Sequence, residues 1–334
     1  MAMIDPFGRM VEYLRISITD RCNLRCAYCL PARGVQWQAR SDLLSIAEFV
    51  RVAEAATALG IRRIRLTGGE PLVRPDVVDL VGALARLPNI EGISLTTNGM
   101  LLERLAGPLA EAGLRRVNVS LDTLDADKFR RLTRFGKLER VWRGIRAAEQ
   151  AGLRPIKINT VVVRGVNDDE LLGLADLTID HSWHVRFIEL MPIGNDGDWG
   201  EGMPGPLERY LSVHEMLARL APLKLSPVPG PIGSGPARTF QIPGAHGTVG
   251  FISPLGQHFC ATCNRLRLTA DGRLRPCLLV DREVSVREAL RQGEEITHLI
   301  GEAIEAKPSG HGLSAPDANA CQDRVGRVMC QIGG

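Results

Sequence analysis

Between residues 14 and 190 the chain repeats one pattern, a short apolar run followed by an amphipathic stretch, roughly once per 30 residues. The runs at 14–18, 61–66, 92–97, 116–121, 156–163 and 185–190 have the length and composition of strands. The stretches between them have helical spacing. Ser45 followed by Glu48 makes a capping box, Ile46, Phe49, Val50, Val52, Ala53 and Ala56 line one face, and Gly60 ends the element. Further helices are predicted over 75–88, 101–112, 138–151 and 169–177. Parallel strands need a long crossover, and a helix supplies it, so this alternation predicts a parallel sheet with right-handed connections.

Six such units are too few for a closed eight-stranded barrel. The residues capable of chemistry nevertheless share one end of the strands. Cys22 follows the first strand, Glu70 the second, Thr96 and Asn98 end the third, Ser120 and Asp122 end the fourth, Asn159 lies in the fifth, and Glu189 and Met191 end the sixth. Parallel barrels carry their sites at the C-terminal strand ends. The expected fold is therefore α/β, a partial (β/α)6 open TIM-like barrel over 1–225, with a smaller C-terminal region over 226–334.

That boundary follows a short helix at 213–220, after which prolines and glycines crowd residues 222–236. Phe240, Ile242, Val249, Phe251 and Ile252 suggest short strands beyond it. Asp271-Gly272 reads as a two-residue hairpin turn that pairs 270 with 273. Cys277 would then lie opposite Leu266, and strict alternation would put Cys263 and Cys277 on opposite faces unless the ladder bends. Ser285 with Glu288 suggests a second capping box opening a helix over 285–306.

A formal charge of +3 is too mild for a nucleic-acid or membrane surface, but it allows a local basic pocket for an anionic small molecule. No apolar run approaches the roughly 18 residues of a membrane span, and the first residues lack a secretory pattern. A reducing, cytoplasmic setting without disulfides is expected.

Cys22, Cys26 and Cys29 fall within eight residues at spacing Cys-x3-Cys-x2-Cys, and Cys260, Cys263 and Cys277 form a second group. Structural zinc takes four closed ligands, and a four-iron cluster normally takes four thiolates. Three close thiolates suggest a cluster with one iron open to a substrate or cofactor. Thr67-Gly68-Gly69-Glu70-Pro71 follows the second strand; its glycines permit close backbone approach to a ligand, and Glu70 can accept from an ammonium group.

The first cysteine group, with Tyr28 before its last member and the Gly-Gly-Glu-Pro turn, resembles the radical SAM superfamily. With Cys260, Cys263 and Cys277 the resemblance narrows to the GTP 3',8-cyclases of molybdenum cofactor biosynthesis. Leu14-Arg15-Ile16-Ser17, Arg65 to Pro71, Leu95-Thr96-Thr97-Asn98-Gly99, Arg116 to Asp122, Arg186 to Met191, Cys263-Asn264-Arg265-Leu266-Arg267-Leu268 and Gly333-Gly334 carry it from about residue 8 onward.

The resemblance implies two [4Fe-4S] clusters, one on each cysteine group. S-adenosylmethionine would bind the first cluster's open iron, with Tyr28, Gly69, Glu70, Ser120 and Met191 as cofactor contacts. The resulting 5'-deoxyadenosyl radical would take hydrogen from C3' of GTP, and C3' would bond to C8. The second cluster would anchor the guanine base. Arg15, Arg65, Thr96, Lys157, Arg265 and Arg267 would contact GTP, and the Gly333-Gly334 tail would enter the active site. A homodimer, a flavodoxin- or ferredoxin-type electron donor, and hand-over of product to cyclic pyranopterin monophosphate synthase are implied on the same footing.

Taken singly, each arginine is more simply a surface charge. Cys321 and Cys330 match no ligand position and read as ordinary thiols, and the histidines show no ligand spacing. Two rival readings are a radical SAM maturase that modifies peptides and a metal-stabilised nucleotide-binding module without chemistry.

Overall fold

The computed structural model describes residues 3–191, 193, 199–200, 203–205, 208–230, 235–313 and 327–333. Every predicted strand forms. β1 (Tyr13–Ser17), β2 (Arg63–Thr67), β3 (Gly92–Thr97), β4 (Leu114–Ser120), β5 (Ile156–Val162) and β6 (His184–Glu189) lie side by side in chain order, all parallel. Sequential order means that each right-handed crossover steps the same way, which gathers the helices on one face and curls the sheet. A doubly wound sheet would instead reverse its order part-way.

The crossovers carry α1 (Ile46–Ala58), α2 (Val77–Ala85), α3 (Leu102–Glu111), α4 (Ala126–Thr133), α5 (Leu138–Gln150) and α6 (Leu171–Asp180). The Ser45–Glu48 capping box opens α1 as expected. Helix α4 is an addition to the predicted set. Asp125 caps it by accepting the Lys128 amide at 2.8 Å, and Phe129, Leu132 and Thr133 bury its inner side.

Beyond β6 come α7 (Val213–Arg219), β7 (Ser226–Pro227), β8 (Arg238–Gln241), β9 (Thr248–Ile252), β10 (Arg265–Leu268), β11 (Arg273–Arg275), β12 (Val284–Ser285), α8 (Arg287–Gln292), α9 (Thr297–Glu305) and α10 (Met329–Ile332). The full sheet runs β12-β11-β10-β1-β2-β3-β4-β5-β6-β9-β8-β7. Strands from the later part of the chain thus extend both edges of the barrel wall. β10 joins β1 and β9 joins β6, each in parallel, and antiparallel partners finish the two ends.

Two sequence expectations need correction. The hairpin pairs Arg267 with Arg275 and Leu268 with Leu274, one residue out from the 270–273 pairing. Its loop has three residues, closed by Gly272 at φ +79, where Thr269 and Arg273 bond across it. Continued outward, this register sets residue 277 across from 265, hence on the face of 263, and the conflict between Cys263 and Cys277 disappears. The helix expected over 285–306 is two helices, because Gly293 ends α8 in the left-handed conformation at φ +80. Ser285 sits in β12, and its hydroxyl meets the Glu288 side chain without capping α8.

Strand alternation sorts the core from the lumen. Leu14, Ile16, Ile64, Leu66, Ile93, Leu95, Val117, Val119, Ile156, Ile158, Val185 and Phe187 all face the helices and are buried. Each such side chain is worth about 1.5–3 kcal/mol relative to exposure. No helix among the described residues is long and apolar enough to cross a membrane.

Candidate active site

The other face of the same strands lines the barrel interior. Residues paired across parallel strands point to one side. The registers therefore set Arg267, Arg15, Arg65, Ser94 and Arg116 in one layer, and Thr96, Asn118, Lys157 and His184 in the next. Ser120, Asn159 and Arg186 make a third layer, nearer the C-terminal strand ends. Gly250 pairs with Arg186, and a Cβ there would stand 3.1 Å from the Arg186 Cγ, so the glycine leaves room for the guanidinium.

These cations crowd one another out of water. Burial, then Arg186, Arg65 and Arg116, bring the Lys157 ammonium down to about 6. Burial with Arg265 brings Arg267 to about 9, and burial with Arg65 brings Arg186 to about 9. Arg15 is lowered by burial and by Arg267, Arg65 and Arg265. A wall of like charges that raises its own cost is stabilised by an anion bound against it.

The first cysteine loop leaves β1 directly. Thr19 and Arg21 carbonyls accept the Gly69 and Glu70 amides, both at 2.8 Å, so the glycine turn after β2 is laid along the loop. A Cβ at Gly68 would stand 2.4 Å from the Thr19 oxygen, and one at Gly69 2.4 Å from the Arg21 oxygen. The glycines thus serve the packing of two backbones. Glu70 is 1 % exposed and accepts from the Leu72 amide, the Thr97 hydroxyl and the Asn98 amide at 2.9, 2.7 and 2.6 Å. Burial nevertheless pushes its carboxyl up to about 7. Its carboxylate ties the turn to the end of β3, and Asn98 in turn donates to Asn23 at 2.8 Å.

Helix α4 holds the far side of this loop. Thr133 and Leu132 carbonyls accept the Arg25 and Ala27 amides, and Arg134 donates to the Arg25 and Leu30 carbonyls at 2.7 and 3.0 Å. Tyr28 donates to Asp122 at 2.7 Å, just beyond β4, and stands edge-on to Trp199. Burial raises Asp122 to about 6.

Burial, with the Glu70 charge, raises the Cys22 thiol to about 11; burial lifts Cys26 and Cys29 well above the usual range, with Asp122 and Cys22 adding for Cys26 and the Cys26 sulfur for Cys29. Such a set is costly as bare thiolates and fits a metal core that supplies positive charge. Among the described residues no three His, Cys, Asp or Glu side chains gather as a single-ion site requires. A cubane, whose thiolates bind separate irons, does not require it.

The second cysteine group is held by cations. Arg9 donates to the Cys260 and Pro308 carbonyls, both at 2.7 Å. Lys307, 4 % exposed, donates to the Arg265 carbonyl at 2.7 Å and lies 3.9 Å from the Cys263 sulfur. Burial would raise the Cys263 thiol, but Arg265 and Lys307 outweigh it and bring it to about 7. The tail completes the arrangement. Arg327 forks onto Asp271 at 3.2 and 3.0 Å and reaches Glu283. Gly333 accepts from Arg267 at 2.6 Å and packs on Ser17, Thr67 and Gly68.

Two family models match this chain, the radical SAM superfamily over residues 16–178 and the molybdenum cofactor synthesis C-terminal family over residues 183–313. A GTP 3',8-cyclase from Moorella thermoacetica is 49% identical over 336 residues, covering 99% of this chain and 100% of that protein. One from Listeria monocytogenes is 44% identical over 335 residues, covering 99% and 98%. The chain belongs to the GTP 3',8-cyclase family. Solved structures share its fold. His-tagged anSMEcpe with bound AdoMet superposes with TM-score 0.59 at 16% identity, over 91% of this chain and 80% of that one. Streptococcus suis SuiB bound to its precursor peptide SuiA gives 0.59 at 15% identity, over 81% and 61%.

For this GTP 3',8-cyclase family member, the strand registers bring Arg15, Arg65, Thr96, Lys157, Arg265 and Arg267 onto one lumen face. Ser120 and Met191 fall at or just past the ends of β4 and β6. Gly334 and Cys321 lie outside the described residues. Lys307, Arg9 and Arg186 were not singled out from sequence. Arg186 shares the lumen parity of His184, a signal available in the sequence, whereas Lys307 and Arg9 are brought in from distant segments by tertiary contacts.

Proposed function

We propose that this chain is a radical SAM GTP 3',8-cyclase, a lyase that converts GTP to (8S)-3',8-cyclo-7,8-dihydroguanosine 5'-triphosphate in molybdenum cofactor biosynthesis. The observation that carries it is one continuous cationic strand face with a three-cysteine group at either end, β1 running into the first while Cys260 and Cys263 of the second lead into β10.

Cys22, Cys26 and Cys29 would hold one [4Fe-4S] cluster, and Cys260, Cys263 and Cys277 the other. When bound, the first cluster with S-adenosylmethionine supplies the one-electron chemistry that makes a 5'-deoxyadenosyl radical. The protein's own share is placement. Tyr28, Gly69, Ser120 and Met191 border the cofactor's position, while Glu70 fixes the turn beneath it. Arg15, Arg65, Lys157, Arg186, Arg265 and Arg267 receive the triphosphate, with Thr96 as a hydroxyl partner, and set C3' toward the cofactor. Gly333, which accepts from Arg267, would bring the C-terminal tail into the active site. The enzyme works in the cytoplasm as a homodimer, takes electrons from a flavodoxin- or ferredoxin-type donor, and passes its product to cyclic pyranopterin monophosphate synthase.

The test is anaerobic incubation of reconstituted protein with GTP, S-adenosylmethionine and dithionite, followed by mass spectrometry. The cyclised nucleotide is expected together with 5'-deoxyadenosine. Formation of 5'-deoxyadenosine without any cyclised product would reject the assignment.

A further inference from the structure

One short segment, residues 307–310, reaches the chain around every member of the second cysteine group. It starts where α9 ends, with the Lys307 amide donating to the Ile304 carbonyl at 3.1 Å. The Lys307 Nζ donates to the Arg265 carbonyl at 2.7 Å and to the Pro276 carbonyl at 3.3 Å, and the Cys263 Sγ lies 3.9 Å away. An ammonium has three donors and no acceptor, so three acceptors around one Nζ match it. Arg265 stands two residues after Cys263, and Pro276 immediately precedes Cys277. One buried side chain therefore joins the two strands that carry these ligands. On the other flank Arg9 donates to the Cys260 and Pro308 carbonyls, both at 2.7 Å, and a Cβ at Gly310 would stand 4.0 Å from the Cys260 Sγ. Asp5 pairs with Arg9 at 2.5 Å and offsets its charge. Arg9 thus fastens the segment, and Lys307 is the cation that meets a sulfur.

We propose that Lys307 is a positioning residue for the second cluster, holding the Cys263 and Cys277 segments at the spacing of one cubane and setting a fixed positive charge against the Cys263 thiolate. The inference rests on the assignment of a cluster to Cys260, Cys263 and Cys277 made above. Groups just outside a metal's ligands orient those ligands and tune the metal. Reduction adds negative charge to an iron–sulfur cluster, and a hydrogen bond or cation at its sulfurs favours that state. Lys307 is 4 % exposed, so little water or salt screens its charge. The second cluster is therefore more easily reduced with Lys307 than without it. The role makes and breaks no covalent bond.

The experiment isolates the second cluster in the full-length chain by combining Cys22→Ala, Cys26→Ala and Cys29→Ala, with reconstitution in the absence of oxygen. Its reduction potential is read by electron paramagnetic resonance during a redox titration, and iron is counted in the same samples. Lys307→Met removes both the charge and the donors. Lys307→Gln removes the charge but keeps donors for the two carbonyls, and Lys307→Arg keeps the charge. In the Met and Gln variants the equilibrium constant for reduction should fall at least about tenfold, a shift of about 59 mV for one electron. The Arg variant should recover most of that shift. An unchanged potential in the Gln variant, or loss of the cluster from both neutral variants, would reduce Lys307 to a structural brace and overturn the proposal while leaving the cluster assignment intact. If the protein with Lys307 in place holds no iron on residues 260, 263 and 277, the assignment itself falls, and the role of Lys307 with it.

Discussion

The Arg267 guanidinium donates through Nη1 to the Gly333 carbonyl at 2.6 Å, a buried contact between β10 and the C-terminal tail. Arg267 also pairs in register with Arg15, and Arg15 with Arg65. One residue therefore joins the tail to the cationic wall of the lumen, beside the second cysteine group. The tail's position is written into the strand register, and its removal should affect placement of the substrate more than generation of the radical.

Arg267→Met should lower formation of the cyclised nucleotide at least about tenfold, since a buried charge-assisted hydrogen bond is worth about 1.5–3 kcal/mol. Release of 5'-deoxyadenosine should fall less, so that the ratio of the two products shifts. Arg327→Gln, which loses the fork to Asp271, should shift the ratio in the same direction with iron content unchanged. Parallel measurement of both products and of iron checks both variants.

Glycines at two places should respond in opposite ways. Gly69→Ala forces a Cβ to 2.4 Å from the Arg21 oxygen, and the cysteine loop must move. A destabilisation of about 3 kcal/mol and loss of iron from the first group are expected. Gly82→Ala lies inside α2, where the added carbon would meet only the Arg86 side chain at 3.7 Å and the Ala112 Cβ at 3.9 Å, and should stabilise by about 0.5–1 kcal/mol. Denaturation midpoints and iron content decide both cases.

Binding of GTP should take up a proton. Before GTP binds, the Lys157 ammonium sits at about 6, lowered by burial, Arg186, Arg65 and Arg116, so at pH 7.5 it is largely neutral. A bound triphosphate favours the charged form and raises that value. The proton comes from solvent, and affinity from this group falls as pH rises from about 6 toward the bound value. Calorimetry in buffers of different ionisation enthalpy should show more uptake for the natural chain than for Lys157→Met. Equal uptake would remove Lys157 from the anion site.

Much of this was legible because periodicity reports burial. Leu14, Ile16, Ile64 and Leu66 are apolar on alternate positions, and the residues between them, Arg15 and Arg65, are therefore on the lumen face. The hairpin register was not legible, because Asp271-Gly272 suits a two-residue turn as well as the three-residue loop that forms, and one residue of slip moves Cys277 to the other face. Gly293 interrupted a helix that its neighbours' spacing would have continued. The roles of Arg9 and Lys307 depend on contacts to Cys260, Arg265 and Pro308 that no local pattern encodes. Gly68 and Gly69 were legible as a close approach, though to the Thr19 and Arg21 backbone.

The central claim is that a radical made at the Cys22 group reaches a nucleotide held beside the Cys277 group. GTP carrying deuterium at C3', incubated with the reconstituted protein, S-adenosylmethionine and reductant, tests it in one measurement. Deuterium should appear in the methyl group of the released 5'-deoxyadenosine. If the 5'-deoxyadenosine formed under those conditions contains none, the radical does not meet the nucleotide at that carbon and the account is wrong.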